Sequence, residues 1–416
     1  MTSVSAPSIT AAALRPRLPL NLASQAFVEN KYEHYAWLRE NAPVADGKVS
    51  IIKAKLFARY DDCVALLKDP RFIRNRSAAT SGGRFPIPLP KSVELIAENM
   101  ITSDDPEHKR LRGLVNQAFK PKAIAELEGR IDALTHRLLD DAEKKKRIDL
   151  MEDYALPIPT TVIQQLMGVH DTDMPRFRET LQSVTQGFNG LRILKTIFWD
   201  MPSVVRFMRE LVQQKRSEPA DDILTGLLQA EEEGDRLTED EIVGMCFLLI
   251  IAGYETTSHL INNSVLTLLQ YPDQLDRLRE NPDLVASALE EIQRFRGPIH
   301  SSKPEYAIED VQWRDGTMIK KGTAVMPLFG SANHDPDAFE DPETFDIGRD
   351  PNHHLGFGHG VHFCLGAQLA RLETRIALRN LFDRNPDLRL AVPESELRLQ
   401  TLPGWHRYDG LPIQLR

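Results

Sequence analysis

One short loop narrows the possible folds of this chain more than any other segment. It reads FGHGVHFCLG at residues 357–366, and an apolar helix is predicted from about Ala367 onward. Glycines let the backbone pass close to a flat ligand and direct N–H groups at the sulfur of Cys364. Because a helix N-terminus favours negative charge, the sequence predicts a thiolate at Cys364. A single thiolate held in this way suits an axial bond to iron.

Two other interpretations of this loop stay open on its residues alone. Cys364 could be an ordinary buried thiol that packs in the core. His359, His362 and Cys364 could also bind zinc together, since His and Cys are its usual ligands and lie close in sequence here. The loop by itself does not decide among iron, zinc and plain core packing.

Charge and cysteine content limit the classes of function. The net charge of −9 argues against general nucleic-acid binding. The three cysteines, Cys63, Cys246 and Cys364, are far apart and odd in number, which indicates a reducing compartment without disulfides. Residues 1–22 lack the apolar core of a signal peptide or anchor, and the longest apolar run, residues 245–252, is too short to span a bilayer. We therefore expect a cytoplasmic protein without a membrane anchor.

Hydrophobic periodicity predicts a mainly helical chain with minor β sheets. Helices are expected at residues 29–41, at 61–69, across most of 107–295 and after Cys364. Strands are expected at residues 49–60, within 306–327 around a tight Asp315-Gly316 turn, and near 411–415. Residues 77–91 and 334–349 read as a Pro-rich loop and a meander. No repeat or long linker interrupts the chain, so we expect one domain over residues 1–416.

The loop resembles the haem-binding signature of the cytochromes P450. The matching pattern is FGxGxxxCxG, and the following AQLARLE (residues 367–373) is similar to soluble bacterial members. Further motifs follow in the family's order, so the resemblance covers nearly the whole chain. It implies the cytochrome P450 fold and a haem b cofactor, with Cys364 as the metal ligand. Phe357, Gly358 and Gly366 would form the cofactor-binding loop.

A second motif, AGYETT at residues 252–257, lies in a long helix candidate at residues 242–270. Thr256 can bond back to the carbonyl of Ala252 and bend the helix. Taken alone, the motif also fits an ordinary bent helix with a solvent-facing Glu255. The resemblance implies instead that Ala252 and Thr256 form a groove for dioxygen beside the haem, and that Glu255 helps to deliver protons. Thr256 and Glu255 are thus the candidate catalytic residues.

The same helix supplies candidate pocket residues. Leu248 and Ala252 lie two turns and one turn before Thr256 and share its face, with Ile251 nearby. For Leu248 and Ile251, simple core packing is an equal alternative. Position in the family pattern adds Ser301, Leu402 and Pro403 to the substrate pocket. The resemblance also implies a mobile lid from the apolar helices within residues 173–214 and the loop at 77–91.

His108 and Arg112 lie four residues apart and therefore share a helix face. Alone, this stretch reads as a basic, solvated helix start. The resemblance implies that both grip the haem propionates, since the Arg donors form a fork that suits a carboxylate. It also implies a third propionate contact from His354.

The chain departs from the family pattern at Glu305. Aligned on Glu309-Asp310-Val311, this position holds an Arg in soluble relatives, and that Arg binds a propionate. A Glu cannot replace the cation. We expect that Lys303 or His300 substitutes for it, or that one propionate turns elsewhere.

Glu291 and Arg294 lie three residues apart on a helix predicted to end near Phe295. Such a pair is often a surface pair worth a few tenths of a kcal/mol. The resemblance implies a structural triad with Arg349 that holds the Cys364 loop in place.

The implied reaction inserts one oxygen atom from O2 into a hydrophobic small molecule by hydroxylation or epoxidation. A fatty acid, terpenoid, steroid or macrolide-like substrate fits equally. Because no flavin motif or ferredoxin Cys cluster is visible, electrons from NAD(P)H are expected through a separate ferredoxin and ferredoxin reductase or a flavodoxin-type donor. A basic docking surface is expected from Lys109, Arg110, Lys120 and Lys122. The chain is expected to be a monomer.

Two rival functions are weighed against this one. A peroxide-driven hydroxylase is the alternative enzyme, but relatives of that type replace the acid–alcohol pair, which is intact here at Glu255-Thr256. A non-catalytic haem- or zinc-binding protein is the alternative outside catalysis.

Overall fold

The computed structural model of the protein describes residues 14–49, 52–80, 90–119, 124–173, 176–177, 195–232 and 235–415. Most of these residues are helical, and short strands form one six-stranded sheet and three smaller ones. The predicted fold class, mainly α with minor β, is therefore confirmed. The assignment of residues 1–416 to one domain stays a prediction.

The helices are numbered in chain order. They are α1 Gln25–Glu29, α2 Lys31–Asn41, α3 Tyr60–Leu66, α4 Arg76–Ala79, α5 Lys91–Ala97, α6 Glu107–Ala118, α7 Glu128–Lys145, α8 Pro157–Met167, α9 Met201–Ser217, α10 Ile223–Gln229, α11 Glu239–Gln270, α12 Pro272–Glu280, α13 Val285–Arg296, α14 Phe329–Ala332 and α15 Ala367–Arg384. Two π-helical turns, Met151–Ala155 and Thr196–Asp200, lead directly into α8 and α9.

The strands form one larger sheet and several small ones. They are β1 Leu20–Asn21, β2 Val44–Val49, β3 Ile52–Phe57, β4 Phe72–Ile73, β5 Arg147–Asp149, β6 Glu231–Glu232, β7 Asp235–Arg236, β8 Glu305–Ala307, β9 Val311–Gln312, β10 Met318–Ile319, β11 Ala324–Pro327, β12 Arg389–Leu390 and β13 Pro412–Gln414. The larger sheet has the order β1-β2-β3-β11-β8-β4, so it joins the N-terminal hairpin to strands that precede the Cys364 loop. At its edge, β4 and β8 pair in antiparallel fashion.

Helix α11 is the central element of the helical region. Its 32 residues span about 48 Å at 1.5 Å per residue. A capping box between Thr238 and Glu241 starts it, as both the hydroxyl and the carboxylate bond the opposite backbone N–H. Its apolar stretch is long enough to cross a membrane by length and composition, but 61% of that stretch is buried inside the protein, as in a core helix.

Two apolar cores meet along α11. The first half of the helix packs with α6, α9 and α10, and buries residues such as Val243 and Ile250. The second half packs with α7, α8, α13 and α15, and buries Ile261 and Val265. Helix α15, which follows Cys364, therefore shares a core with the C-terminal half of α11, and this packing fixes the Cys364 loop relative to that helix.

A cluster of buried aromatic and histidine side chains lies where α2 meets the C-terminal hairpin at residues 394–409. The rings of His300 and His406 stack with centroids 5.0 Å apart, and Tyr32 packs against both. Lys31 reaches the same region and donates to the carbonyl of Trp405. Burial lowers the pKa of His300 and of His406 well below the ordinary value, and the Lys31 charge acts in the same direction, so both are neutral near pH 7.

Most predicted elements are present, but strand β2 was not predicted from the sequence. The predicted strand at residues 49–60 is the second strand of a hairpin, β2–β3, and the chain turns into helix α3 at Tyr60. The Asp315-Gly316 turn joins β9 to β10, and Gly316 adopts a φ of 87°. Residues 81–89 of the Pro-rich loop and residues 178–194 of the predicted lid, including Phe188, lie outside the described residues.

Candidate functional site

The Cys364 loop is held by its own backbone at the start of α15. The Cys364 N–H donates to the carbonyl of Phe357 at 2.9 Å, which closes the loop. Gly358 and Gly360 adopt φ values of 76° and 72°, a left-handed conformation that favours glycine. A Cβ at Gly360 would lie 2.7 Å from the carbonyl oxygen of Leu67, so the loop also needs this glycine for close packing.

One side of the loop is open. A Cβ on Gly366 would meet no atom within 4 Å, and one on Gly358 would meet only a carbonyl oxygen at 3.8 Å. Cys364 keeps accessible surface, whereas Cys63 and Cys246 are buried in the cores. The sulfur and its neighbouring glycines therefore border a space that a flat ligand can enter.

The electrostatics of Cys364 differ from the sequence prediction. Burial raises the pKa of the Cys364 thiol, and the Gly366 N–H together with the charges of Arg112 and Arg371 offsets this rise only in part. The Gly366 N–H and the two cations favour the predicted thiolate, while the surrounding protein disfavours it. A coordinating metal ion deprotonates a thiol outright, so the thiolate form would accompany a bound metal.

Helix α11 presents an accessible stripe in the middle of an otherwise buried segment. Ala252 is exposed, and Leu248, Ile251 and Thr256 are partly exposed, while Ile250 and Thr257 are buried. Leu248 and Ile251 pack against the same apolar cluster as Leu365, the residue after Cys364. The predicted pocket face of α11 and the Cys364 loop thus border the same large apolar cluster.

The hydroxyl of Thr256 makes the backbone contact that its spacing predicted. It donates to the carbonyl oxygen of Ala252 at 2.7 Å. This bond uses the donor of Thr256 and fixes its side chain against the helix at the accessible stripe. The oxygen lone pairs of Thr256 stay available on that side.

Glu255 turns away from Thr256 and forms an ion pair with Arg407 of the C-terminal hairpin. The two side chains are 18% and 12% exposed. Successive residues on a helix lie about 100° apart, so Glu255 faces another side of α11 than Thr256 does. His259, one turn further on, faces the same side, and burial lowers its pKa to about 3, with the Arg407 charge acting in the same direction.

Glu255, Arg407 and His259 line a large cavity of about 1340 Å³ on that side of α11. The cavity is bordered by α1, by the turn before α8 and by the hairpin at residues 394–409. Leu402 lines this cavity too. Ser301 is buried beneath the hairpin, where a Cβ on Gly404 would contact it at 3.3 Å. Sequence reasoning missed the cavity, because six separate segments build it.

His108 and Arg112 lie beside the Cys364 loop, as the sequence predicted. The His108 ring packs on the ring of His362 with centroids 4.2 Å apart, and its Nε2 is buried without a hydrogen-bond partner. Burial lowers the pKa of His362 to about 3, and the charges of Arg74, His108 and Arg112 act in the same direction. Sequence reasoning considered His362 only as a zinc ligand and missed Arg74 altogether.

His354 is placed elsewhere, so its predicted contact with a propionate is not supported. Its Nε2 lies 3.0 Å from Glu290, and its Nδ1 accepts the Gly356 N–H at 3.0 Å. Both ring nitrogens are thus occupied by protein. Although burial opposes it, hydrogen bonds from Arg371 and His354 lower the pKa of Glu290 to about 2. Arg371 in turn stacks over the ring of Phe357 at 4.4 Å, so His354 supports the loop from behind.

The Glu291 triad is present as predicted. Arg294 donates to both carboxylate oxygens of Glu291 at 2.8 Å, and Arg349 Nε donates to them at 3.1 and 3.2 Å. Glu291 and Arg294 have no exposed side-chain surface. Arg294 also donates to carbonyls of the meander, at Asn333 and Pro342. The triad therefore ties α13 to the meander that leads into the Cys364 loop.

Glu305 has a partner that the sequence did not reveal. Arg74 Nε donates to its Oε1 at 3.1 Å, and both side chains are buried. Of the two substitutes expected for a missing cation, His300 belongs to the buried histidine cluster away from the loop. Lys303 is exposed, yet burial lowers its pKa to about 8, with the charge of Arg74 acting in the same direction. Lys303 thus borders an enclosed space near Arg74.

Two other expectations have a structural outcome. Within the described part of the chain, no three His, Cys, Asp or Glu side chains cluster as a metal site, which disfavours zinc at His359, His362 and Cys364.

Of the expected basic docking surface, Lys109 is exposed but Arg110 is neutralised by Glu107 and Glu241. Lys120 and Lys122 lie outside the described residues.

This combination defines a class of protein. An open cysteine loop at a helix start, bordering the same cluster as a long helix with an accessible alanine and threonine, fits an oxidoreductase that holds haem iron through a thiolate. Residues 81–385 match the family model described as Cytochrome P450. The chain belongs to the cytochrome P450 family, and it is a monooxygenase of that family.

Individual relatives agree over nearly the full length. The chain is 35% identical to the polyketide biosynthesis cytochrome P450 PksS of Bacillus subtilis, over 94% of this chain and 96% of that protein. It is 37% identical to the cytochrome P450 monooxygenase PikC of Streptomyces venezuelae, over 96% and 95%. The structure of P450BioI in complex with an acyl carrier protein carrying hexadec-9Z-enoic acid superposes with a TM-score of 0.86, at 36% identity over 95% and 100%.

The residues present fit the haem that this family implies. Gly358 and Gly366 leave room beside the Cys364 sulfur, which is a suitable axial ligand. The buried Nε2 of His108 lacks a partner, and Arg112 has no protein acceptor among the described residues. Such donors suit the two carboxylates of haem b.

Proposed function

We propose that the protein is a haem-thiolate monooxygenase in which Cys364 binds the iron and Thr256 and Glu255 supply protons. When bound, haem iron with a thiolate ligand promotes cleavage of the O–O bond of dioxygen. The observation that carries the proposal is that the open Cys364 loop and the accessible stripe of α11 border the same apolar cluster. The residues assigned to each role follow from this juxtaposition.

The side chains of this chain have separate tasks. Leu248, Ile251 and Ala252 provide an apolar wall that positions a hydrophobic substrate and excludes water. Thr256, whose hydroxyl proton is used by the Ala252 carbonyl, accepts a hydrogen bond at its oxygen and orients a proton donor there. Glu255, held by Arg407 at the edge of the large cavity, takes up protons from solvent. Ser301 and Leu402 stay candidates for the substrate pocket, with Leu402 in the cavity beside Glu255 and Ser301 buried beneath the hairpin.

The substrate is a hydrophobic small molecule of the fatty acid, terpenoid, steroid or macrolide type. The apolar stripe of α11 supports this class, and the relatives named for polyketide biosynthesis and bound to a fatty acyl chain fit it. A spectral screen with one compound of each type distinguishes them, since the true substrate class shifts the Soret band at the lowest concentration. A shift of equal size and affinity with all four types contradicts a selective pocket.

Electrons come from NAD(P)H through a separate ferredoxin and its reductase, or through a flavodoxin-type donor. A peroxide-driven reaction is the alternative, and the intact Glu255-Thr256 pair disfavours it. Product formation with NADPH and an added ferredoxin system, compared with hydrogen peroxide alone, separates the two. Faster turnover with peroxide would support the alternative.

The deciding experiment is the carbon monoxide difference spectrum of the reduced protein. We expect the thiolate-type band in the wild type and its loss in Cys364→Ala and Cys364→His. Cys246→Ala is the matched control, because Cys246 is a buried thiol in the apolar core of α11. A wild-type band that survives Cys364→Ala would assign the ligand to another residue and overturn the proposal.

A further inference from the structure

A buried ion pair lies at the edge of the larger sheet, near the Cys364 loop. Strands β4 and β8 pair so that Phe72 lies opposite Ala307 and Ile73 opposite Tyr306. The same register places Arg74 directly opposite Glu305. The Arg74 Nε donates to Glu305 Oε1 at 3.1 Å, and the two side chains are 5% and 7% exposed.

The backbone around Arg74 is fixed as firmly as its side chain. The N–H groups of Arg74 and Asn75 donate to the two carboxylate oxygens of Asp104 at 2.7 and 2.8 Å. Asp104 lies just before helix α6, which carries His108 and Arg112. The end of β4 is therefore tied to the start of α6, so Arg74 is held beside these two side chains.

Several donors in this region have no acceptor. Glu305 uses only the Nε of Arg74, and within the described residues neither Nη nitrogen of Arg74 has a protein acceptor. The buried Nε2 of His108 is also unpartnered, and the His108 ring packs on His362 of the Cys364 loop. The charge of Arg74 acts on both His108 and His362, so Arg74 lies near them. A buried donor without a partner beside a guanidinium with two uncommitted Nη groups suits an anionic ligand.

We infer that Arg74, positioned by Glu305, binds a carboxylate of the bound cofactor together with His108 and Arg112. This inference rests on the proposed function, because haem b supplies the carboxylates. With Nε committed to Glu305, the two Nη groups form the edge of the fork that suits a carboxylate. Glu305 is thus a positioning residue, which accounts for a carboxylate at the position where the family resemblance implies an Arg.

The geometry of the strand pair lets a guanidinium on β4 take the place of one on β8. Side chains directly opposite each other in an antiparallel pair have Cβ atoms about 4.5–5.5 Å apart. A guanidinium from Arg74 on β4 therefore reaches the region that an Arg on β8 at position 305 would reach. The positive charge would then lie in the same region, although the residue that carries it is 231 positions from Glu305 in the sequence.

Transfer of haem from the holoenzyme to apomyoglobin tests the inference. We expect Arg74→Gln to lose haem about ten- to a hundredfold faster than wild type, as for a lost charge-assisted hydrogen bond. Arg71→Gln is the matched control, because it removes a positive charge three residues away whose own side chain is 42% exposed. Equal rates of haem loss for Arg74→Gln and wild type would overturn the inference. A faster loss from Lys303→Gln but not from Arg74→Gln would overturn it too.

Reconstitution with haem dimethyl ester separates a carboxylate contact from a structural role. The ester lacks the anionic carboxylates, so Arg74→Gln and wild type should lose the ester at the same rate within about twofold. If Arg74→Gln accelerates loss of the ester as strongly as loss of haem, Arg74 only supports the fold.

A charge swap across the strands tests Glu305 as the positioning residue. Glu305→Arg alone places two guanidinium groups together in a buried site, so we expect faster haem loss. Combining it with Arg74→Glu should restore retention towards wild type, because the ion pair and the free fork are re-formed from the opposite strand. No recovery in the double variant would contradict the assigned role. The Cys364 carbon monoxide spectrum is read independently, so failure here leaves the proposed function intact.

Discussion

Thr256 and Ser264 are matched hydroxyls on one helix. Each donates to the carbonyl four residues earlier, at 2.7 and 2.6 Å, but Thr256 lies on the accessible stripe and Ser264 is fully buried. We expect Thr256→Ala to keep haem and substrate binding, while product formed per NAD(P)H consumed falls about tenfold or more because a proton-transfer group is lost. Ser264→Ala should leave that ratio unchanged. An unchanged ratio in Thr256→Ala would remove this residue from catalysis.

Arg407 and Arg398 offer a second comparison, since both line the large cavity and only Arg407 pairs with Glu255. Arg407→Gln frees the Glu255 carboxylate from a half-buried ion pair and lets it leave its position. We expect a severalfold lower product yield per NAD(P)H and an altered pH profile of that yield, with partial rescue by Arg407→Lys. Arg398→Gln is the control. If both Gln variants behave alike, the ion pair has no role in proton supply.

Single residues were predictable where the partner is near in sequence. The bond from Thr256 to Ala252 follows from helical spacing, and the Cys364 loop follows from its glycines. Arg74 could not be found in this way, because its partner Glu305 is 231 residues distant and only strand register brings them together. His354 was assigned wrongly for the same reason, since Glu290, which occupies its ring, is 64 residues away.

Helix α13 and the meander are joined through one buried carboxylate. Glu291 accepts bonds from Arg294, Arg349 and Asn352, so its removal leaves buried guanidinium groups without compensation. We expect Glu291→Ala to lower the free energy of unfolding by about 3–5 kcal/mol, measured by chemical denaturation. Glu128→Ala, which breaks the exposed pair with Arg375, should cost at most about 1 kcal/mol. Similar costs for both would show that the triad is not needed for stability.

Elements with a strong local signal were predicted well. The long apolar run and the Thr238 cap define α11, which begins three residues before the predicted start and ends at Gln270 as expected. Strand β2 was missed, because its sequence VADGKV contains residues that disfavour strands and becomes a strand only by pairing with β3. Small strands of two or three residues carry no periodicity of their own, so the sheet order had to come from the structure.

The acid stability of the protein should depend on its buried neutral histidines. In the unfolded chain a His has a pKa near 6.5, whereas burial lowers the pKa of His300 and His406 well below this value in the fold. The unfolded state thus binds more protons below pH 6.5, and each such histidine removes up to about 1.4 kcal/mol per pH unit of acidification. Lys31, His334 and Arg296 face the cluster and disfavour protonation further.

Denaturation midpoints between pH 8 and pH 5 measure this effect. We expect wild type to be most stable above pH 6.5 and to lose stability as the pH falls, with a smaller slope in the variant that combines His300→Gln and His406→Gln. His136→Gln, at an exposed position on α7, should keep the wild-type slope. A double variant with the wild-type slope would assign the acid sensitivity to other buried histidines, such as His259, whose pKa burial lowers to about 3.

The arrangement of the whole chain was predictable only as an order of motifs. The Cys364 loop, the acid–alcohol motif and the Glu291 triad each have a local pattern, and the family resemblance placed them in one fold. The cavity beside Glu255 has no such pattern, because its lining comes from α1, from the turn before α8, from α11 and from the C-terminal hairpin. Packing of distant segments, which no single stretch of sequence encodes, decides where solvent reaches α11.

Helix α11 carries the apolar stripe and the Glu255–Arg407 ion pair within two turns of each other. Leu248 and Glu255 lie seven residues apart and Ile251 and Glu255 lie four apart, so all three share one face of the helix. A substitution that reshapes the apolar stripe therefore also changes the surroundings of the ion pair. A variant library aimed at bulkier or smaller substrates has to be selected for product yield per NAD(P)H as well as for acceptance of the new compound. Divergence in what the enzyme accepts is in this way coupled to the efficiency with which it uses oxygen.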